Sequence, residues 1–66
     1  MNNEDFSEWL VDQLDANGLN GWDLARMTGL SYQAVKYYIQ GERTPKLATL
    51  GVILNVLNKR LQIVDR

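Results

Sequence analysis

Hydrogen-bonding side chains are concentrated in one ten-residue stretch near the middle of the chain, SYQAVKYYIQ, residues 31–40. The stretch holds three tyrosines, two glutamines and one lysine, and it holds no acid. At about 100° per residue, five of these side chains share one face of an α-helix. Amide, ammonium and phenol groups can contact base edges and phosphate oxygens, whereas a carboxylate would repel phosphates. The pattern therefore predicts a helix that reads DNA, with its outer face formed by Tyr32, Gln33, Lys36, Tyr37 and Gln40.

The opposite face of this helix is apolar and is expected to pack on a core. Ala34, Val35 and Tyr38 lie on it, and Tyr38 is expected to bury its ring and leave its hydroxyl at the surface. Tyr32 and Tyr37 also have an ordinary interpretation as surface aromatic residues. Their position on one face with an amide and an ammonium group favours contact with DNA.

Capping residues divide the chain into four short helices. Asparagine, serine and threonine accept hydrogen bonds from free N–H groups at a helix start, and glycine ends a helix in the left-handed conformation. The second helix is expected over residues 21–28 and the third over residues 32–40, joined by a short turn. The expected caps are Asn17-Gly18 after the first helix, Asn20 and Gly29 around the second, Ser31 and Gly41 around the third, and Thr44-Pro45 before the fourth.

The first and fourth helices each carry an apolar stripe at helical spacing. These stripes are expected to pack on the core, with most charges of the first helix outside its stripe. The stripe residues are Phe6, Trp9, Leu10 and Leu14 in the first helix, and Leu47, Leu50, Ile53, Leu54 and Leu57 in the fourth.

The end of the chain has a different pattern. Residues 61–65, LQIVD, approximate the period of two that is typical of a half-buried strand. A single strand leaves an unpaired edge, so it either pairs with the same strand of a second chain or is a frayed tail. Pairing is favoured here, and Leu61 and Ile63 are then the expected dimerisation residues.

Length and composition exclude several classes of function. A chain of 66 residues is expected to form one domain, residues 1–66, which gains stability from a partner subunit. It has no cysteine and no histidine, so we expect no catalytic residue, no metal site and no cofactor. The longest apolar run, residues 50–57, is too short to span a membrane, and the N-terminal residues do not resemble a signal peptide. A cytoplasmic protein is expected.

Charge is distributed unevenly along the chain, although the net charge is only −1. Residues 1–23 contain six acids and no base, whereas residues 24–66 contain seven bases and two acids. This asymmetry indicates a surface that faces a polyanion, but a solvated acidic helix beside a mixed one explains it equally well. The acids of the first helix lack other ligand types beside them, so a solvated face is favoured over a cation site.

Residues 19–45, LNGWDLARMTGLSYQAVKYYIQGERTP, resemble the helix-turn-helix of the lambda-repressor/Cro-like (XRE) family of DNA-binding regulators. The similarity extends to about residue 57 and implies an all-α, compact bundle of four or five helices, with helices two and three as the helix-turn-helix. It also implies operator binding as a dimer and no catalysis. The residues that carry it are Leu24-Ala25, Gly29, Ser31, Val35, Gly41, Arg43 and Pro45, followed by Leu47, Leu50, Ile53 and Leu57.

The resemblance also implies roles for individual residues. The start of the family's recognition helix corresponds to Tyr32 and Gln33, and its next exposed turn corresponds to Lys36 and Tyr37. These four residues are the expected base contacts. The loop that contacts the DNA backbone corresponds to Gln40, Arg43, Thr44 and Lys46.

The sequence departs from the family pattern at the start of the second helix and at the end of the third. Gly21 replaces a glutamine that commonly braces a phosphate, so that contact is lost or replaced. Trp22 lies about 200° around the helix from Leu24 and is expected outside the core. Its indole N–H can donate to a phosphate, or its ring can pack over the local surface. Ile39 stands where the family usually has a polar residue, and Arg26 is expected to be solvated, within reach of a phosphate.

Two classes of function follow from these observations. The first is a sequence-specific transcriptional regulator, a phage-type repressor or Cro-like protein, that binds an inverted-repeat operator in double-stranded DNA as a homodimer. The alternative is a protein-interaction module, such as an antitoxin-like chain whose acidic first helix docks a partner protein. The two functions can coexist in one protein.

Overall fold

The computed structural model describes residues 2–64, with side chains described for residues 2–58. Within this range the chain is all-α, as predicted, and it contains four helices and no strand. No helix in this range is both long and apolar enough to cross a bilayer. The helices are α1 (Asn3–Ala16), α2 (Gly21–Thr28), α3 (Tyr32–Ile39) and α4 (Leu47–Val64).

Local capping fixes where α2 and α3 begin, as the sequence predicted. The Asn20 side chain accepts a hydrogen bond from the Asp23 N–H at 2.8 Å, and the Asp23 carboxylate accepts one from the Asn20 N–H at 3.0 Å. The Ser31 hydroxyl accepts from the Ala34 N–H at 3.1 Å. Gly29 ends α2 with φ 76°, a left-handed conformation that favours glycine. These short-range bonds define both sides of the turn between α2 and α3.

One hydrophobic core joins the four helices. The α3 side chains are all described, and of these only Val35 is fully buried. Tyr32, Tyr38 and Ile39 also pack against the core. Only the outer face of α3, which carries the exposed Gln33 and Lys36, is therefore left for other contacts. The core residues are Phe6, Leu10 and Leu14 of α1, Leu24 and Ala25 of α2, Val35 of α3, and Ile53 and Leu57 of α4.

The predicted apolar stripe of α4 was too wide. Ile53 and Leu57 are buried and Leu50 packs against the core, but Leu47 is 85% exposed and Leu54 is 36% exposed. At about 100° per residue, positions 50, 53 and 57 share a narrow sector, and positions 47 and 54 lie beside it. The core side of α4 is therefore narrower than its apolar composition indicated.

The predicted C-terminal strand over residues 61–65 is wrong for residues 61–64, where α4 continues as a helix to Val64. The sequence after Gly51 has no glycine or proline to end the helix. A helix also satisfies its backbone hydrogen bonds locally, whereas a strand needs a partner. Residue 65 and the side chains of Leu61 and Ile63 lie outside the described part of the chain.

We predict that Asn20→Ala lowers the free energy of unfolding by about 1 kcal/mol, because it removes the side chain that caps α2. For a domain of this size the corresponding loss in Tm is about 4–8 °C, measurable by circular dichroism. Asn55→Ala is the matched control, since Asn55 is exposed within α4. Equal losses in the two variants would contradict a specific role for the cap.

Candidate nucleic-acid interface

A short turn, residues 29–31, sets α3 against α2. The Thr28 hydroxyl donates to the Leu24 carbonyl at 2.7 Å and accepts from the Leu30 N–H at 3.3 Å. Leu30 packs against the core, so the turn is held by both hydrogen bonds and apolar contact. Two helices joined in this way, the second with an open outer face, form a helix-turn-helix.

The outer face of α3 has the polar character that the sequence predicted. Gln33, Lys36 and Gln40 are exposed, and Tyr32 and Tyr37 are half-buried. On the other side Val35 is fully buried, and Ala34 and Tyr38 are half-buried. The predicted base-contacting side chains therefore lie at the surface of α3, the second helix of the helix-turn-helix, as DNA contact requires.

The Trp22 indole stacks on the Tyr32 phenol across the turn. The ring centroids are 3.7 Å apart and the ring planes differ by 1°. Trp22 is 62% exposed, so it lies outside the core as predicted, and it packs over the local surface. The sequence interpretation treated the two rings separately, because no local pattern links residues ten positions apart across a turn.

Close packing at Gly21 explains two departures from the family pattern together. A Cβ atom at this position would lie 2.9 Å from Cδ1 of Ile39 and 3.4 Å from Cε1 of Tyr32. A larger residue would require the end of the Ile39 side chain to shift, because real Cβ contacts are longer than 3.0 Å, whereas the approach to Tyr32 is ordinary van der Waals contact. Glycine at position 21 and isoleucine at position 39 are therefore complementary in shape.

Arg43 lies over the ring of Tyr37, with its Cζ atom 4.5 Å from the ring centroid. This cation–π contact is worth about 0.5–1 kcal/mol at an exposed site. It brings a predicted phosphate-contacting residue next to a predicted base-contacting residue. The guanidinium group is thus held close to the C-terminal end of α3.

The first turns of α1 hold the loop between α3 and α4. The Asn3 amide donates to the Glu42 carbonyl at 3.3 Å, and the Thr44 hydroxyl donates to Oδ1 of Asn3. The Ser7 hydroxyl donates to the Ile39 carbonyl. Sequence reasoning missed Asn3 and Ser7, because their partners are more than 30 positions away and neither residue belongs to a motif.

The family resemblance implied that Thr44 contacts the DNA backbone. Its hydrogen bond to Asn3 changes that interpretation. A hydroxyl has a single proton to donate, and here that proton goes to Asn3. A phosphate contact through this hydroxyl would need the bond to break. The geometry instead gives Thr44 a part in fixing the loop that also carries Arg43.

Most exposed positive charges and most exposed negative charges lie on different parts of the structure. Lys36, Arg43 and Lys46 are exposed on α3 and the loop after it. Arg26 forms an ion pair with Asp23, with 2.6 Å between Nη2 and Oδ1, so its charge is partly compensated. Among the described residues the exposed acids lie on α1, except for Glu42 in the loop beside Arg43; those on α1 are Glu4, Asp5, Glu8, Asp12 and Asp15.

The fold and this surface define a helix-turn-helix DNA-binding protein. A comparison with known families matches residues 13–64 to a helix-turn-helix family, a span that includes all of α2, α3 and α4. The chain belongs to this family of lambda-repressor/Cro-like (XRE) DNA-binding regulators, whose members are not normally enzymes. The same comparisons found no match among curated proteins or solved structures.

We predict that Asn3→Ala loosens the loop of residues 40–46 with little effect on helix content, because it removes both bonds from the Asn3 side chain. Hydrogen exchange should accelerate at the amides of Gly41 and Glu42, which donate to Tyr38 and Tyr37. Asp12→Ala, at an exposed position of the same helix, is the control. Unchanged exchange at both amides would show that α1 does not hold the loop.

Proposed function

We propose that the protein is a sequence-specific transcriptional regulator, a phage-type repressor or Cro-like protein, and that α3 reads its operator in the major groove. The observation that carries this proposal is the outer face of α3, where amide, ammonium and phenol groups are available at the surface without a carboxylate. Such a face suits base edges and phosphates together. Binding to an operator requires no catalytic residue and no cofactor. It would take place in the cytoplasm, where the DNA is.

We assign base contacts to Tyr32, Gln33, Lys36 and Tyr37. Gln33 is the side chain with the clearest chemistry, because an amide can pair with N6 and N7 of adenine through two hydrogen bonds. It is exposed near the start of α3, the end of a recognition helix that reaches the bases. Gln40, Arg43 and Lys46 would position the protein on the phosphate backbone, and Thr44 would fix the loop that carries Arg43 through its bond to Asn3.

We propose a homodimer on an inverted repeat. An eight-residue recognition helix covers only a few base pairs, too few to discriminate among the sites of a genome. Two-fold pairing doubles the contacts and requires recognition helices about 34–36 Å apart. Leu61 and Ile63 were expected to form the dimer contact as strand residues, and because α4 continues as a helix through them we do not assign the contact to this pair.

The acidic surface of α1 supports a second candidate function. Its exposed carboxylates would repel DNA and would suit a basic partner protein, as in an antitoxin-like chain. This module would use a different helix from the DNA interface. The two functions can therefore coexist.

Selection of bound fragments from random double-stranded DNA with the purified chain tests the proposal directly. We expect enrichment of an inverted repeat with half-sites one helical turn apart, bound with a steep dependence on salt. If no preferred sequence is recovered and binding has no measurable salt slope, the proposal of a DNA-binding regulator fails and the protein-interaction module is favoured.

We predict that Gln33→Ala costs about 1–3 kcal/mol of binding free energy on the preferred operator and relaxes selectivity at one base pair. Titrations against operators with single base-pair changes would identify that pair, which we expect to contain adenine. Gln13→Ala, on α1, is the control. Equal losses on operator and random DNA would contradict base contact by Gln33.

We predict that Lys46→Ala and Arg43→Ala each weaken binding to every sequence and reduce the log–log salt slope by about one unit. The reason is that a cation on a phosphate releases counterions without reading bases. Arg26→Ala should change the slope less, because Arg26 is already paired with Asp23. If the salt slopes of these variants equal that of the parent chain, Arg43 and Lys46 do not contact phosphates.

A further inference from the structure

The stack of Trp22 on Tyr32 carries an inference beyond the contacts assigned above. We propose that Trp22 is a positioning residue, which holds the Tyr32 ring in one orientation and so determines which base pair the phenol selects. The inference rests on the proposed function, since it concerns how one of its base contacts is held. It differs from a phosphate contact by Trp22, which would strengthen binding to every sequence.

Tyr32 is the first residue of α3, and Trp22 is the second residue of α2. A side chain in the first turn of a recognition helix lies close to the base edges. A centroid distance of 3.7 Å and parallel planes place the two rings in van der Waals contact over their faces. The stack therefore connects the two helices of the helix-turn-helix at the end that approaches the bases.

Contacts on two sides hold the phenol. Trp22 covers a face of the Tyr32 ring, and the edge of the ring lies beside Gly21, where an added Cβ would be at van der Waals distance, 3.4 Å from Cε1. The ring packs against the core and is half-buried. A side chain fixed in this way before binding loses less conformational freedom on the DNA. Its hydroxyl is presented in one orientation, which is what selectivity requires.

Exposure makes the proposal testable. Trp22 is 62% exposed and is not among the core residues, so its truncation should leave the fold intact. Phenylalanine at this position keeps an aromatic ring for the stack and removes the indole N–H. Trp22→Ala and Trp22→Phe therefore separate ring stacking from donation to a phosphate.

The experiment measures the affinity of Trp22→Ala, Trp22→Phe, Tyr32→Ala and the Trp22→Ala/Tyr32→Ala double variant. Each is titrated against the selected operator, its single base-pair variants and random DNA. Met27→Ala is the matched control, because Met27 is an exposed apolar residue on the same helix. Circular dichroism checks that each variant keeps its helices.

A second measurement tests the stack without DNA. The chain has two tryptophans, so Trp9→Phe leaves Trp22 as the sole indole fluorophore. In this background Tyr32→Ala should shift the Trp22 emission and raise its quenching by acrylamide. An unchanged emission and quenching would show that the rings do not stack in solution and would overturn the inference.

We expect Trp22→Ala to weaken operator binding about 2- to 10-fold, the size of an aromatic pair contribution. It should relax selectivity at the same base pair as Tyr32→Ala, and the double variant should bind no worse than Tyr32→Ala alone. Trp22→Phe should restore most of the affinity. The salt slope should not change, because neither ring carries a charge.

Besides the fluorescence result, three binding results would overturn the inference and leave the proposed function standing. They are an unchanged affinity in Trp22→Ala, losses that multiply in the double variant, and an equal loss on operator and random DNA. The last would assign Trp22 to a phosphate. If the parent chain binds no DNA at all, the proposed function fails and this inference fails with it.

Discussion

The outer face of α3 is open, so this helix can bury only one side of itself, and this constraint governs the structure. Val35 is the one fully buried side chain of α3, all of whose side chains are described. Full burial of one valine contributes about 1.5–3 kcal/mol. The other apolar residues that α3 packs against the core, Tyr32, Tyr38 and Ile39, are only partly buried. The recognition helix therefore depends on contacts with the elements around it.

Those contacts are placed at both ends of α3. At its start, the Ser31 cap and the Trp22 stack on Tyr32 define where the helix begins and how its first side chain lies. At its end, Ser7 of α1 donates to the Ile39 carbonyl and Arg43 packs over Tyr37. The middle of the outer face is then left to the polar side chains. This arrangement orders a short helix without covering the surface that the proposed function needs.

Sequence reasoning succeeded where the determining interactions are local. The caps at Asn20 and Ser31 act over three residues, and the exposed and buried faces of α3 follow from helical periodicity. It failed on the stack of Trp22 with Tyr32 and on the bonds from Asn3, because these join residues that are distant in the chain. The strand predicted for residues 61–64 rested on too few residues to separate a period of two from the continuation of a helix.

We infer that the DNA interface consists of α3, the loop after it and the start of α2, and excludes the acidic face of α1. An NMR titration of the labelled chain with its selected operator would locate the interface residue by residue. We expect the largest amide shifts at residues 21–22 and 32–46, with small shifts at Glu8, Asp12 and Asp15. Large shifts along those three α1 residues, with α3 unaffected, would contradict it.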